Sequence, residues 1–97
     1  MAFVQIIEFS TSDIDGMQAI DQEWEQATEG KRTARRMVVA ADRDHPGRYC
    51  TLIFFDSYES AMQNSGLPET KAAAERYMDL ADGPPVFHNL DILEERS

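Results

Sequence analysis

Few side chains in this sequence could do chemistry, so each is weighed by where it falls. His88 stands between Val86 and Leu90 on what reads as an apolar strand face. An imidazole there can act as a general base or orient a phenol. It can equally be a neutral histidine bonded to a neighbour, or lie in a subunit interface. Gln5 is a polar side chain on an otherwise apolar strand face. It needs a partner, which can be a ligand, a water or another polar group such as His88. Trp24 and Tyr77 fall on the inner stripes of two helices, where they either stack on an aromatic ligand or fill the core. Tyr49 can add a hydroxyl to the same cavity or end at the strand edge. Asn64 lies near a break between two helical pieces, and either caps the break or reaches the pocket mouth. His45 sits beside Pro46 at a turn and reads as solvated. Two distant histidines and one cysteine make no metal site. There is no phosphate-cradling glycine loop and no nucleophile elbow.

The elements that must position these residues follow from periodicity. Arg48 to Asp56 (RYCTLIFFD) is the most apolar run. Its β-branched and aromatic content predicts a strand apolar on both faces, hence a central one. Phe3–Phe9 predicts a first strand, with Val4 and Ile6 on one face and Phe3, Gln5, Ile7 and Phe9 on the other. Ser10 to Asp13 offer helix caps. Ile14, Met17, Ile20, Trp24 and Ala27 then form a helical stripe, with Gly30 as a stop. Thr33–Ala41 predicts a second strand, joined by the turn at Pro46-Gly47 to the Tyr49 strand. Asp56 or Ser57 caps a short helix, and Asp56 with Glu59 has the spacing of a capping box. Pro68 opens the next helix. Its stripe is Thr70, Ala73, Ala74, Tyr77, Leu80 and Ala81. Gly83-Pro84-Pro85 stops it, and Val86–Leu93 is the last strand.

The order is β-α-β-β-α-β, which predicts a single α+β domain over 1–97. It has a ferredoxin-like antiparallel sheet, strands one and three central, and helices on one face. The helix-free face would expose more apolar surface than a monomer usually tolerates. A homodimer that covers it is therefore expected.

Charge and cysteine content narrow the function classes. Nine Lys and Arg face eighteen Asp and Glu, a formal net charge of −9. That argues against a general nucleic-acid binder and against adhesion to anionic membranes. Six of the nine bases lie between Lys31 and Arg48. They read either as an anion site or as salt bridges along an edge strand, and the second reading is preferred. The one cysteine, Cys50, permits no intrachain disulfide. No signal peptide is visible, and no run approaches the about 18 apolar residues of a membrane helix. A cytoplasmic protein is expected.

At this point the chain resembles the dimeric α+β barrel superfamily, in its antibiotic-biosynthesis-monooxygenase-like branch. The resemblance spans nearly the whole chain. It is carried by the topology, the aromatic third strand, the stretch FFDSYESAMQNSGLPET and the helix ending LADGPP. It implies one small-molecule pocket per subunit, between helices and sheet. It also implies cofactor-independent oxidation or cyclisation of aromatic, polyketide-like compounds, with no cofactor. His88 and Gln5 would then stand near the reacting atom, and Trp24, Tyr49, Asn64 and Tyr77 would line the pocket. Active relatives often carry a Trp in the helix after the third strand, and haem degraders a His early in the next one. Here Met62, Asn64 and Thr70 fill such places, which counts against the haem-degrading branch and favours, as the alternative, a non-catalytic ligand-binding or structural homodimer.

Overall fold

Phe3 lies directly opposite Phe55, and the rest of the sheet follows from that pairing. A computed structural model describes all residues, Met1–Ser97. Four strands, β1 (Phe3–Ser10), β2 (Arg36–Ala41), β3 (Arg48–Phe55) and β4 (Val86–Asp91), form one sheet in the order β2-β3-β1-β4. Every neighbouring pair is antiparallel. Three helices, α1 (Ile14–Ala27), α2 (Tyr58–Ser65) and α3 (Pro68–Leu80), complete the chain. The two central strands are β1 and β3, as their two-sided apolar pattern predicts.

Parity assigns the two faces. Phe3, Gln5, Ile7 and Phe9 share a face with Ile53 and Phe55 of β3, Met37 and Val39 of β2, and Phe87 and Asn89 of β4. The helices lie on this side. Phe3 and Phe55 are buried against Ala61 of α2, with Ala34 and Ile53 packed beside them. The other face carries Val4, Ile6, Leu52, Phe54, Val38 and Leu90, and no helix covers it. The interior is thin, with only ten buried residues. That count is low because one whole sheet face contributes almost nothing to it.

Two strand boundaries differ from the pattern-based expectation, and the two expected caps of α2 are resolved. β2 begins at Arg36, not Thr33. The Thr33 amide and hydroxyl turn aside to α2, donating to Asn64 Oδ1 and to the Ser60 carbonyl. Ser57, not Asp56, caps α2 by accepting the Ser60 amide at 3.1 Å. Asp56 instead takes a bidentate bond from Arg35, so the capping box does not form. β4 ends at Asp91, two residues early.

α1 and α3 hold each other by polar ties around a small apolar seam. Met17, Ile20 and Ala73 are buried. Trp24 Nε1 donates to Thr70 Oγ1 at 2.9 Å, and the Tyr77 hydroxyl donates to the Asp21 carboxylate. Thr11, almost fully buried, donates to the Leu80 carbonyl at 2.7 Å and accepts the Asp13 amide. Gly16 leaves room for the Asp13 carboxylate that caps α1, since a side chain there would collide with it. Close contacts run α1 to α3, α2 to α3 and α2 to β3, and neither α1 nor α3 approaches a strand comparably. Side chains, not helix backbones, therefore span the layer above the sheet.

The Asp21–Tyr77 tie makes a pH prediction. Burial raises the Asp21 pKa above its ordinary 3.8, although the Tyr77 bond pulls the other way. A raised folded pKa gives a contribution that is present below the unfolded value and lost as pH rises through the folded one. Asp21→Asn keeps an acceptor for the tyrosine and removes the buried charge. Its melting temperature should therefore equal or exceed the wild type near neutral pH, and should vary less between about pH 4 and pH 7. Asp21→Ala leaves the Tyr77 hydroxyl unpaired and should cost about 1–3 kcal/mol. Thermal melts of both variants across that range decide the matter.

Candidate functional site

Gln5 and Asn89 are direct partners across β1 and β4, and both point to the helix side. Gln5 Nε2 donates to Asn89 Oδ1 at 3.0 Å. That bond fixes the pair and leaves the Gln5 carbonyl and the Asn89 amino group free for a ligand. Two residues along, Phe3 is paired with Asp91. The Tyr58 ring stands edge-on to Phe3, with centroids 5.6 Å apart and planes at 74°. The start of α2 supplies Ser57, Tyr58 and Glu59. Together with Met1, these residues enclose an open groove of about 560 Å³ along Phe3, Asn89 and Asp91. Neither Glu59 nor Asp91 joins any of the chain's ion pairs. Its chemistry is therefore an aromatic wall, an amide pair and two uncommitted carboxylates.

The other residues singled out by sequence disperse. His88 pairs with Ile6, on the helix-free face, so a sheet's thickness separates it from the Gln5 side chain. Its Nε2 lies 2.7 Å from Glu8 Oε2, on the same outer face. Gln5 therefore finds Asn89, not His88. Trp24 and Tyr77 stand between α1 and α3, their polar atoms bonded to Thr70 and Asp21. Arg32 stacks over the indole, 5.9 Å from its centroid. Burial is the main cause that raises the Tyr77 pKa, reinforced by the Asp21 bond. Tyr49 shares the helix side with Gln5 but lies toward the far end, stacked on Phe9 at 5.7 Å. Asn64 is 4% exposed and accepts the Thr33 amide at 3.3 Å, so it neither caps the helix break nor borders the groove.

Sequence reasoning passed over Phe3, Tyr58, Glu59, Asn89 and Asp91 as site residues. Alternation along β4 does put Asn89 and Asp91 on one face. What it lacks is the β1–β4 register that sets them beside Gln5 and Phe3. The basic segment is largely paired off, with Lys31 on Glu69, Arg35 on Asp56 and Arg36 over the Phe54 ring at 5.5 Å. A second groove, of about 580 Å³, runs under the β2–β3 turn between His45, Arg48, Thr11 and Asp82, and no hydrophobic residue lines it.

No protein-family model and no curated protein sequence matches this chain. Solved structures do. A candidate antibiotic biosynthesis monooxygenase from Caulobacter crescentus superposes with a TM-score of 0.82 at 14% identity, over 96% of this chain and 91% of that one. SnoaB, a cofactor-independent oxygenase from Streptomyces nogalater, gives 0.80 at 8% identity, over 97% and 95%. A candidate antibiotic biosynthesis monooxygenase from Chloroflexus aurantiacus gives 0.77 at 19% identity, over 100% and 98%. Coverage is nearly complete on both sides, so the whole chain has the α+β fold of monooxygenase-like proteins. At such identities the likeness establishes the fold alone.

Asn64→Leu, close in volume, removes the acceptor of the Thr33 amide. It should lower stability by about 1–3 kcal/mol, seen in urea unfolding as a reduced midpoint with an unchanged slope.

Proposed function

We propose that the chain is a homodimer that binds a small aromatic molecule on the helix side of each sheet. On that molecule it acts as a cofactor-independent oxygenase or a polyketide-type cyclase. The observation that carries the binding site is the Gln5–Asn89 amide pair beside the Phe3–Tyr58 groove. An amide pair can orient a phenol oxygen while the rings hold the aromatic body. The fold shared with SnoaB supports the chemistry. In such a reaction the substrate is its own reductant. An activated ring methylene and O₂ give a carbonyl and water, so atoms and electrons balance without a further donor. Gln5 and Asn89 position the ring in this reading, and His88 belongs to the other face.

The dimer is supported by area. The chain exposes 6694 Å². A folded monomer of 11.0 kDa is expected to expose about 5,600 Å². The excess is roughly 1,100 Å², comparable with the ~800 Å² that each partner buries in a standard interface. Part of the apolar exposure lies on the helix-free face, where Val86 and Leu90 are about half exposed. The reading places this dimer in the cytoplasm, where Cys50 stays a thiol.

The alternative, a non-catalytic dimer, is favoured by Trp24 and Tyr77, whose hydrogen bonds tie helices together instead of meeting a ligand.

Two measurements test the proposal. Oxygen uptake with electron-rich polycyclic phenols should fall at least about tenfold in Gln5→Leu and Asn89→Leu, with melting temperatures little changed because the pair is exposed. Unaltered uptake in both variants removes the site; no uptake by the parent protein while ligands still bind leaves the non-catalytic reading. Leu52→Glu puts a charge at the centre of the helix-free face and should give a monomer by light scattering. A dimer of unchanged strength would place the interface elsewhere.

A further inference from the structure

We infer that the groove selects an aromatic ammonium, an electron-rich ring carrying an amine, over an aromatic acid. This rests on the binding site proposed above and goes further by naming the charge of its ligand.

The groove has a wall for a ring and two negative groups for a cation. Phe3 is buried, and Tyr58 is 51% exposed, so the phenol ring presents much of its surface to an incoming molecule. A ring face of this kind attracts cations as well as other rings. Glu59 and Asp91 border the same space. No Lys, Arg or His side chain lines it. The nearby bases are engaged or turned away. Lys31 is bound to Glu69 and Arg35 to Asp56. Arg36 and Arg48 belong to the opposite parity, shared with the helix-free face. The α-amino group of Met1 sets one positive charge against two negative ones. The surrounding field has the same sign, because the chain carries a net −9. An entering carboxylate therefore meets a net negative groove, and an ammonium meets carboxylates that no ion pair engages. The free Gln5 carbonyl adds an acceptor for N–H or O–H, and the free Asn89 amino group a donor for a phenol oxygen.

The test uses the intact protein at low salt and three para-substituted phenols that differ in charge: tyramine, para-ethylphenol and para-hydroxyphenylpropionate. Each is titrated by calorimetry and by the Asn89 side-chain amide resonances. Tyramine should bind roughly tenfold tighter than the acid, with the neutral phenol between them. Raising the salt should narrow the spread. The double variant Glu59→Gln with Asp91→Asn should abolish the preference, so that tyramine and the acid bind alike. Neither carboxylate takes part in an ion pair, so the variant has no fold-critical bridge to lose. An acid that binds as tightly as the amine overturns the inference, as does a preference that survives in the double variant. Equal binding of all three overturns the charge selection while the aromatic site stands. Absence of any binding or amide shift removes the site and this inference together.

Discussion

The pairing of Phe3 with Phe55 is the constraint on which the rest depends. It sets two rings on one sheet face, where Ala61 of α2 is small enough to close over them. A slip of one residue would send Phe3 to the helix-free side and bring the other parity under the helices. The same pairing also fixes the position of Gln5. Two residues along β1 it falls under the helices, and the β1–β4 register then sets Asn89 against it. The amide pair is thus a by-product of packing, made usable because its neighbours open into a groove.

The helix layer is organised differently from the sheet. Its apolar seam is short, and hydrogen bonds fix its geometry. Trp24 to Thr70, Tyr77 to Asp21 and Thr11 to the Leu80 carbonyl tie α1 and its approach to α3 along their length. Each tie joins partners far apart in sequence, so each specifies how the helices sit and not merely that they are apolar. Polar ties of this kind are costly if left half made. Loss of one bonding partner therefore costs this layer an amount of the same order as truncation of a buried apolar side chain. The exposed pairs, Arg76 with Glu23 and Arg35 with Asp56, add little by comparison, because solvent screens them.

Alternation made the strands and their faces legible in the sequence. Val4 and Ile6 against Phe3, Ile7 and Phe9 gave β1, and Met37 and Val39 against Val38 gave β2. The helix stripes and the stop at Gly83-Pro84-Pro85 were equally plain. The site was not legible, because it depends on which residues meet. Nothing local in Asn89 says that its partner is Gln5. Alternation puts His88 and Gln5 each on a strand face. Only the register puts those faces on opposite sides. Asn64 looked like a helix-break residue because it precedes Gly66 and Pro68. Its actual partner, the Thr33 amide, is 31 residues away. Thr33 in turn left its strand for that bond.

The His88–Glu8 pair gains its meaning from the face it occupies. It lies on the outer side with Ile6, Leu52 and Val86, where an apolar side chain would serve a buried interface better. On an uncovered sheet the pair is a half-exposed contact of small worth. Under a second copy, as proposed, the same two groups lose water, and an unpaired Glu8 would then be expensive. His88 bonded to it keeps the carboxylate satisfied whether or not a partner is present. The pair also makes the face non-uniform. Arg48 lies beyond Glu8 on the same parity, diagonally across the β1–β3 ladder. A two-fold axis along the strands would lay β3 of one copy over β1 of the other and bring Arg48 toward Glu8. An axis across the strands would press Glu8 against the apolar half of the partner's β1. With Arg36 also on this parity, the face joins an apolar centre to four polar side chains, so any partner must match charge as well as shape.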